Sequence, residues 1–407
     1  MKYKCSFYNI CADGQGCHII YNTLYNTLVR MNDREYKIFT SENDMDPELT
    51  EQLVENGLWV NNEIDEQKQY ISLAAMLRQA NKHDYSLTIT TTMQCNARCP
   101  YCYESGVAKR TMLPETEEKL YSFIRRLDVH DSIQLTWFGG EPLMNTELID
   151  HVSDLLSERG IKFSSYVITN GSLLNSDIIA KMKNKWNTHD VQITLDGIGD
   201  EYDRIKQYTD GKKYFFEILD SVDKLCEAGI FTHVRLNIGR NNIESCVTLS
   251  EMLEKKFEKY TDFCYYPAFL AGTGNPLSDD ERLDIVRRLI SARTTVSKLT
   301  VTRRLHSTPK IRPCMINDPC SMAIDVNGDI FECEHFLGNR EKSIGSLEQN
   351  VTTINRKDLE LKEECQNCKF LPKCMGGCSS ERNNGDKGCM IDRYLIQAYL
   401  KTLSGEL

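Results

Sequence analysis

The sequence lacks a long hydrophobic run, a signal-like start and an excess of positive charge. A membrane-spanning helix needs roughly 18 or more apolar residues in succession, and no stretch of the 407 residues approaches that length. The opening MKYKCSFYNICADGQGCHII is interrupted by polar residues and has no apolar signal core. The formal net charge of −10 argues against a general phosphate-binding surface. We therefore expect a cytoplasmic protein without a membrane or nucleic-acid partner.

Cysteine, in contrast, is abundant, with 17 residues. An odd number of cysteines in a long, reduced chain argues against a disulfide framework and favours metal or redox ligands. Eleven of them fall into two dense groups, one near residue 100 and one beyond residue 313. The other six show no metal-binding spacing and are interpreted as ordinary side chains: Cys5, Cys11, Cys17, Cys226, Cys246 and Cys264.

Strand-like and helix-like segments alternate between Tyr85 and about residue 292. The strand-like segments are YSLTITTT, SIQLTWFGG, KFSSYVITNG, DVQITLDG, FTHVRLNIG and DFCYYPAFL. Helix candidates lie between and after them, for example PETEEKLYSFIRRL and SDDERLDIVRRLISA. Six successive strand–helix units predict parallel strands with right-handed crossovers. The expected fold class is α/β, a partial (β/α)6 TIM-like barrel with its chemistry at the carboxyl ends of the strands.

The segments outside this repeat differ from it in composition. Residues 1–84 predict a small N-terminal α+β module, with strands in YKCSFYNI, CHIIYN and EYKIF and helices in DPELTEQLVENG and EQKQYISLAAMLRQA. The barrel is expected over 85–292 and a bridging segment over 293–312. Residues 313–389 are rich in Cys, Gly and Pro, so we expect bound metal to hold them together. An amphipathic helix, IDRYLIQAYLKTL, is predicted within 390–407.

The loop after the first predicted strand, TTTMQCNARCPYCYE, carries Cys95, Cys99 and Cys102. A four-iron cluster normally takes four thiolates, so three local cysteines would leave one iron open to a small molecule. A zinc site of three Cys and one His is the alternative, but neither His83 nor His130 is local.

The CxxxCxxC spacing, with Tyr101 before the last cysteine, resembles the signature of radical S-adenosylmethionine (SAM) enzymes, and FGGEP after the second strand strengthens the resemblance. The resemblance implies a [4Fe–4S] cluster whose open iron binds SAM. It also implies that Gly139 and Gly140 let the backbone approach the methionine moiety and that Glu141 pairs with the ammonium of SAM. The Tyr101 backbone would contact the adenine.

Three further residues at later strand ends are candidates for contacts to the ribose or carboxylate of SAM. They are Thr169, Asn170 and Thr194. Capping and turn chemistry is the alternative explanation for these residue types at such positions.

The second cysteine group resembles the SPASM extension of radical SAM maturases, although CQNCKFLPKCMGGC alone would also suit a zinc ribbon. The resemblance implies two auxiliary [4Fe–4S] clusters, which would bring the total to three. Carried over by position, the first set of ligands is Cys314, Cys320, Cys333 and Cys378, and the second set is Cys365, Cys368, Cys374 and Cys389. Full ligation by protein suits electron transfer rather than substrate binding.

The resemblance implies reductive cleavage of SAM to a 5′-deoxyadenosyl radical, which takes a hydrogen atom from the substrate. Sulfatase-maturing relatives use a carboxylate beside an auxiliary-cluster ligand as the base. Glu334 holds the matching position, where those relatives carry Asp, and His335 is a second candidate for the base. A solvated pair beside the cluster is the alternative.

SPASM proteins mostly act on peptides and proteins. The favoured hypothesis is therefore a maturase that installs a thioether or C–C cross-link, or a related change, in a ribosomally made precursor peptide. The expected partners are that precursor with its leader and a reductant such as flavodoxin or ferredoxin. Residues 1–84 have the element order of a winged-helix module that takes a leader as an added strand, or they simply pack on the barrel. A formylglycine-forming sulfatase maturase and a non-catalytic iron–sulfur or zinc scaffold are the alternatives.

Overall fold

The computed structural model describes residues 3–41, 47–80, 85–129, 132–270, 275–291, 298–349, 353, 359–380 and 388–405. The chain forms two compact units. The mixed unit comprises Met1–Asn81, Ser278–Asn317 and Asp358–Leu407, and the barrel unit comprises Lys82–Leu277 and Asp318–Lys357. Within the described ranges, no helix has the length and apolar content needed to cross a bilayer.

The mixed unit combines the N-terminal segment with helices from the last third of the chain. Strand β1 (Tyr3–Cys5) pairs with β5 (Trp59–Asn61), while β2 (Asn9–Gly14), β3 (Cys17–Asn22) and β4 (Leu28–Met31) form a second antiparallel sheet. The helices are α1 (Asp33–Ser41), α2 (Pro47–Glu55), α3 (Glu66–Ala80), α10 (Asp279–Ser291), α11 (Val301–Leu305), α12 (Glu363–Gln366), α13 (Leu371–Cys374) and α14 (Ile391–Ser404).

The N-terminal segment, predicted as a module of its own, shares a hydrophobic core with the end of the chain. Ile19 and Tyr21 on β3 belong to the same buried cluster as Ile396 and Leu400 on α14. The Tyr21 hydroxyl also donates to the carbonyl of Leu305 at 2.6 Å. The N-terminal elements therefore complete their core with residues distant in sequence.

The prediction of a strand in EYKIF is wrong, because these residues lie in helix α1. The Asn32 N–H donates to the Glu35 carboxylate at 2.8 Å, and the Glu35 N–H donates to the Asn32 side-chain oxygen at 3.0 Å. This reciprocal capping box begins a helix, and Phe39 is buried on its inner face. The short polar–apolar alternation resembles a strand, but the cap before it determines the structure.

The six predicted barrel strands are all present and pair in parallel in chain order. They are β6 (Tyr85–Thr92), β7 (Ile133–Gly139), β8 (Phe163–Thr169), β9 (Thr188–Thr194), β10 (Phe231–Ile238) and β11 (Phe263–Phe269). The intervening helices are α4 (Pro114–Arg126), α5 (Thr146–Glu158), α6 (Ser176–Asn184), α7 (Asp200–Lys206), α8 (Phe215–Glu227) and α9 (Ile243–Lys256). Alternate strand residues such as Leu87, Ile89 and Val191 are fully buried, as expected for a sheet covered by helices. The predicted α/β fold is confirmed.

Three short strands that the sequence does not predict extend this sheet beyond β6. Strand β12 (Ser321–Ile324) pairs in parallel with β6, and β13 (Asp329–Phe331) and β14 (Gly345–Ser346) follow in antiparallel pairing. The turn between β12 and β13 is closed by the Asp325 carboxylate, which accepts from the N–H groups of Asn327 and Asp329 at 2.9 and 3.0 Å.

The predicted helix at the end of the barrel repeat is present as α10, capped as expected by Ser278. The Ser278 N–H donates to the Glu281 carboxylate at 2.7 Å, and the Glu281 N–H donates to Ser278 Oγ at 3.3 Å. The helix lies in the mixed unit, where the Tyr394 hydroxyl on α14 donates to the Asp279 carboxylate at 2.7 Å. The first segment of the barrel unit thus ends at Leu277, whereas the repeat predicts a barrel that extends to residue 292.

Candidate functional site

The cysteine loop, Cys95 to Cys102, directly follows the carboxyl end of β6. The Cys102 N–H donates to the Cys99 carbonyl at 3.2 Å, and Cys95 Sγ accepts from the Ala97 N–H at 3.4 Å. Burial, together with the charges of Glu141, Cys99 and Cys102, raises the pKa of the Cys95 thiol to about 11. Thiolates are the usual ligands of iron–sulfur clusters, so three partly buried cysteines in one loop are of the right donor type, and their role as ligands stays a prediction.

The glycines of the FGGEP motif hold this loop by close backbone contact. The Gly140 N–H donates to the Thr92 carbonyl at 3.0 Å, and the Glu141 N–H donates to the Gln94 carbonyl at 2.8 Å. A Cβ on Gly140 would lie 2.3 Å from the Gln94 oxygen. One on Gly139, whose φ is +128°, would lie 2.1 Å from the Thr92 oxygen. Both glycines are thus required by the approach of β7 to β6 and its loop, and the approach to a methionine moiety stays a prediction.

The Glu141 carboxylate is fully buried and is held by three protein donors. It accepts from Thr169 Oγ1 at 2.7 Å, from the Asn170 N–H at 2.7 Å and from the Leu143 N–H at 3.1 Å. Burial raises the pKa of Glu141, and these three hydrogen bonds act in the opposite direction. The carboxylate joins the end of β7 to the end of β8, and its pairing with the ammonium of SAM stays a prediction.

Asn170, which follows β8, lies against the cysteine loop. Its Nδ2 donates to Asn96 Oδ1 at 2.8 Å and is 3.9 Å from Cys95 Sγ. Thr169 Oγ1 accepts from the Gly171 N–H at 3.0 Å, which closes the turn after the strand. Thr169 therefore closes a turn and Asn170 contacts the cysteine loop, and their contacts to SAM stay a prediction.

A buried ion pair that the sequence does not predict lies next to the cysteine loop. Lys206 Nζ lies 2.9 Å from Asp196 Oδ2, and the two side chains are 3% and 0% exposed. Lys206 Nζ also donates to Thr194 Oγ1 at 2.9 Å and to Tyr101 Oη at 3.2 Å. Burial disfavours the ammonium charge, but Asp196 and the nearby Tyr101 outweigh it and hold the pKa of Lys206 well above its usual value.

One oxygen of this pair is left unsatisfied by the described residues: Asp196 Oδ1 is buried and has no hydrogen-bond partner there. An unmade hydrogen bond of this kind costs about 1–3 kcal/mol, so a donor from a bound ligand would stabilise this oxygen. The predicted residues Tyr101 and Thr194 are brought together around this pair. Asp196 lies in the LDG segment at the end of β9, and the sequence predicts that strand and places the chemistry at strand ends. No sequence pattern indicates Lys206.

The two candidate bases lie in a short 3-10 turn, Glu334–Phe336, after Cys333. The His335 ring centroid is 4.9 Å from that of Tyr103, the residue after Cys102. Burial raises the pKa of the Tyr103 phenol, and the charge of Glu334 acts in the same direction. The structure therefore brings both candidates near the cysteine loop, and their role as a base stays a prediction.

The second predicted auxiliary set lies wholly in the mixed unit, with its thiols in electrostatic reach of one another. Burial raises the pKa of Cys374 to about 11, and Cys368, Cys365 and Cys389 contribute. Arg393 Nη1 lies 3.6 Å from Cys389 Sγ. Four cysteines are the type and number of ligands that a [4Fe–4S] cluster takes, and their role as ligands stays a prediction.

The first predicted auxiliary set is distributed over the two units, and its assignment stays a prediction. Cys320 and Cys333 belong to the barrel unit, and Cys314 and Cys378 belong to the mixed unit. Across the described ranges, no group of three or more His, Cys, Asp or Glu side chains is arranged to hold a metal ion. The cluster assignments therefore rest on chain position and on the charges that the thiols share.

Known proteins resemble this chain in sequence. Residues 89–253 match the model of the Radical SAM superfamily. The chain is 26% identical over 217 residues to Fe-coproporphyrin III synthase of Methanosarcina barkeri. The match covers 53% of this chain and 51% of that protein, so the chain spans about half the length of this relative. It is 22% identical over 330 residues to the cysteine-type anaerobic sulfatase-maturating enzyme of Clostridium novyi, covering 70% of this chain and 84% of that enzyme.

Solved structures share the fold over most of the chain. The structure of anSMEcpe with bound AdoMet and Cp18Cys peptide has a TM-score of 0.61 at 14% identity and covers 79% of this chain and 99% of that one. The structure of Streptococcus suis SuiB bound to precursor peptide SuiA has a TM-score of 0.54 at 15% identity and covers 97% and 99%. At these identities the likeness concerns the fold.

Proposed function

This chain belongs to the radical SAM superfamily through residues 89–253, and on that premise we propose that it is a maturase that cleaves SAM reductively and modifies a peptide. The observation that carries the proposal is the loop of three thiols at the end of β6, held in place by the FGGEP backbone. A [4Fe–4S] cluster on Cys95, Cys99 and Cys102 would bind SAM at its open iron and supply the electron that splits it.

The residues around the loop fit the polar groups of SAM. Lys206 brings a buried positive charge that suits the carboxylate of SAM. The unsatisfied Asp196 oxygen suits a donor such as a ribose hydroxyl. Glu141, beside the loop, suits the ammonium. These groups would orient SAM and exclude water from it.

The substrate we propose is a ribosomally made precursor peptide, in which a cross-link or a related change is installed. Glu334 and His335, beside Tyr103, would accept the substrate proton. The auxiliary clusters, proposed on the eight C-terminal cysteines, would carry the surplus electron to a flavodoxin- or ferredoxin-like partner. SuiB, which was solved with a precursor peptide bound, shares the fold over nearly the whole chain.

Formylglycine formation on a sulfatase is the second candidate. It is favoured by the similarity to the Clostridium novyi sulfatase-maturating enzyme, which extends over 330 residues. The Glu at position 334, where sulfatase-maturing relatives carry Asp, places the carboxylate about one bond length further out and weighs against this candidate.

The first experiment measures 5′-deoxyadenosine after anaerobic cluster reconstitution, with SAM and dithionite. We expect turnover in the wild type and none in Cys99→Ala, because three thiolates are the minimum for the open cluster. Cys226→Ala is the matched control, because Cys226 is a buried cysteine of α8 whose thiol lies 3.8 Å from the carbonyl of Asp262, just before the amino end of β11. A wild type that forms no deoxyadenosine would contradict the proposal.

The second experiment identifies the substrate by mass analysis of two peptides. One is the product of a short reading frame next to the gene, and the other is a sulfatase peptide with the target cysteine. Loss of two hydrogens from the first supports the cross-link. Conversion of the cysteine thiol to an aldehyde in the second supports the sulfatase role instead.

A further inference from the structure

Three chemically reactive side chains meet on neighbouring strands of the barrel, away from the cysteine loop. Strands β9, β10 and β11 are adjacent and parallel, and their register places His233 opposite Cys264. Asp190 on β9 is opposite Phe231, two residues before His233 on the same face of β10. All three side chains stand in the amino-terminal half of their strands, whereas the cysteine loop follows a carboxyl end.

The three side chains form a continuous hydrogen-bonded chain. Cys264 Sγ lies 3.3 Å from His233 Nδ1, and His233 Nε2 lies 3.0 Å from Asp190 Oδ1. An ionised carboxylate only accepts hydrogen bonds, so Nε2 carries the ring proton and Nδ1 is the acceptor for the thiol proton. The ring is also flanked by Phe231, at a centroid distance of 4.7 Å.

This is the order of groups that activates a nucleophile: a thiol, a base that takes its proton, and a carboxylate that orients the base. The thiolate is the reactive form of cysteine. The imidazole and the carboxylate are 25% and 44% exposed, so this end of the strands is open to solvent although Cys264 itself is 3% exposed.

We propose that Cys264, His233 and Asp190 are a second reactive centre, in which Cys264 is a nucleophilic modification site for low-molecular-weight disulfides. His233 takes the thiol proton, and the Cys264 thiolate attacks one sulfur of the disulfide. A new S–S bond forms as the old one breaks, and the departing thiolate takes the proton from His233. Cys264 is oxidised and the disulfide is reduced, so the step balances without SAM or a cluster.

The chain offers two internal controls for the reactivity of Cys264. Cys226 and Cys246 are buried to a similar degree. Cys226 Sγ lies 3.8 Å from the carbonyl of Asp262. Burial, together with the charge of Asp196, raises the pKa of the Cys246 thiol. Neither environment favours the thiolate, so both should react slowly.

The test treats the cluster-loaded protein with iodoacetamide without oxygen and follows each cysteine by peptide mass mapping. We expect Cys264 to be alkylated about tenfold or more faster than Cys226 and Cys246. His233→Gln should slow the labelling of Cys264 about tenfold and Asp190→Asn about threefold, because His233 is the base and Asp190 positions it. A general loss of structure would instead speed the labelling of all three cysteines.

A second arm replaces iodoacetamide with oxidised glutathione. A mixed disulfide at Cys264 that dithiothreitol removes supports the proposal, and alkylation without such an adduct overturns the assignment to disulfides. Labelling of Cys264 no faster than that of the two controls, or unchanged labelling in His233→Gln, overturns the centre itself. Cys264→Ala should leave deoxyadenosine formation unchanged, so this proposal and the proposed maturase activity can fail separately.

Discussion

Two oppositely charged residues are buried together beside the cysteine loop, and each compensates the other. Lys206 and Asp196 are almost fully enclosed, so the loss of one leaves a bare charge in a poorly solvated place. Breaking a buried ion pair from one side costs about 3–5 kcal/mol. We expect Lys206→Met to lower the free energy of unfolding by about that amount, measured by denaturant titration.

The control for this prediction removes both charges together. Lys206→Met combined with Asp196→Leu should recover part of the lost stability, since no uncompensated carboxylate remains. A double variant as unstable as the sum of the two single variants would show that the residues do not interact.

At the residue scale, the sequence predicts those site residues that lie within short motifs. Cys95, Gly140 and Glu141 are found because fixed spacings mark them. Asp196 and Lys206 are 10 positions apart, and their pairing depends on how α7 returns to the loop, where the Arg98 N–H donates to the Lys206 carbonyl at 2.8 Å. No local pattern encodes that return.

The position of the cysteine loop depends on its backbone contact with the glycines at the end of β7. Gly140→Ala would place a methyl group 2.3 Å from the Gln94 carbonyl, a backbone atom that cannot rotate away. We expect a loss of about 1–3 kcal/mol in unfolding free energy. We also expect less iron bound in the loop, because the segment before Cys95 must shift. Iron analysis after reconstitution, together with denaturant titration, measures both effects.

Gly160→Ala serves as the comparison for that variant. Its φ is +66°, and a Cβ there would meet no atom within 4 Å. The Gly160→Ala variant should lose about 1 kcal/mol of unfolding free energy through backbone strain. Its content of bound iron should not change. Full iron content in Gly140→Ala would disprove the steric argument.

The contact between α5 and α6 predicts a dependence on pH. Asp150 accepts from Lys181 Nζ at 2.6 Å and from Trp186 Nε1 at 2.7 Å. Burial acts to raise the pKa of Asp150, but these bonds and the charge of Lys185 outweigh it and hold the pKa below its usual value. The stabilisation is therefore fully present above the unfolded-state pKa of about 4 and is lost as the pH falls through the lower folded-state pKa.

Asp150→Asn should lower the unfolding free energy by about 1 kcal/mol at neutral pH. The difference from wild type should shrink as the pH falls below about 4. Asp154, one turn along α5 and 51% exposed, pairs with Lys185 at 3.0 Å and supplies the control. Asp154→Asn should change stability less, since exposed pairs contribute little. A constant difference between Asp150→Asn and wild type from pH 3 to 7 would refute the titration.

At the element scale, periodicity predicts the long strands and fails for short ones. The six barrel strands are 7 or 8 residues long, enough for a β-branched and aromatic pattern to stand out. Strands β12 to β14 have 4 residues or fewer, and pairing with the neighbouring strand rather than their own sequence determines them, β12 on β6, β13 on β12 and β14 on β13. In EYKIF, a capping box outweighs an apparent alternation of five residues.

The core of the mixed unit predicts the outcome of a truncation. Ile19 and Tyr21 bury their side chains in one cluster with Ile396 and Leu400. Deletion of residues 1–81 should therefore expose an apolar face of α14 and cause aggregation rather than release a soluble barrel. Size-exclusion chromatography of the truncated chain measures this.

Iron content adds a second readout. Three clusters would give about twelve irons per chain in the intact protein, and the truncated chain should hold fewer, because the mixed unit contains Cys365, Cys368, Cys374 and Cys389. A soluble truncated chain with the full amount of iron would show that the N-terminal segment is dispensable for this core.

The shared core also sets a time order for synthesis. Cys17 Sγ lies 4.0 Å from the carbonyl of Leu403, and the two residues are 386 positions apart. At about 5–20 residues per second, a ribosome needs about 20 to 80 s to make the intervening chain. The sheet of β2, β3 and β4 therefore emerges long before α14 can cover it, and it stays exposed to chaperones until translation has nearly ended.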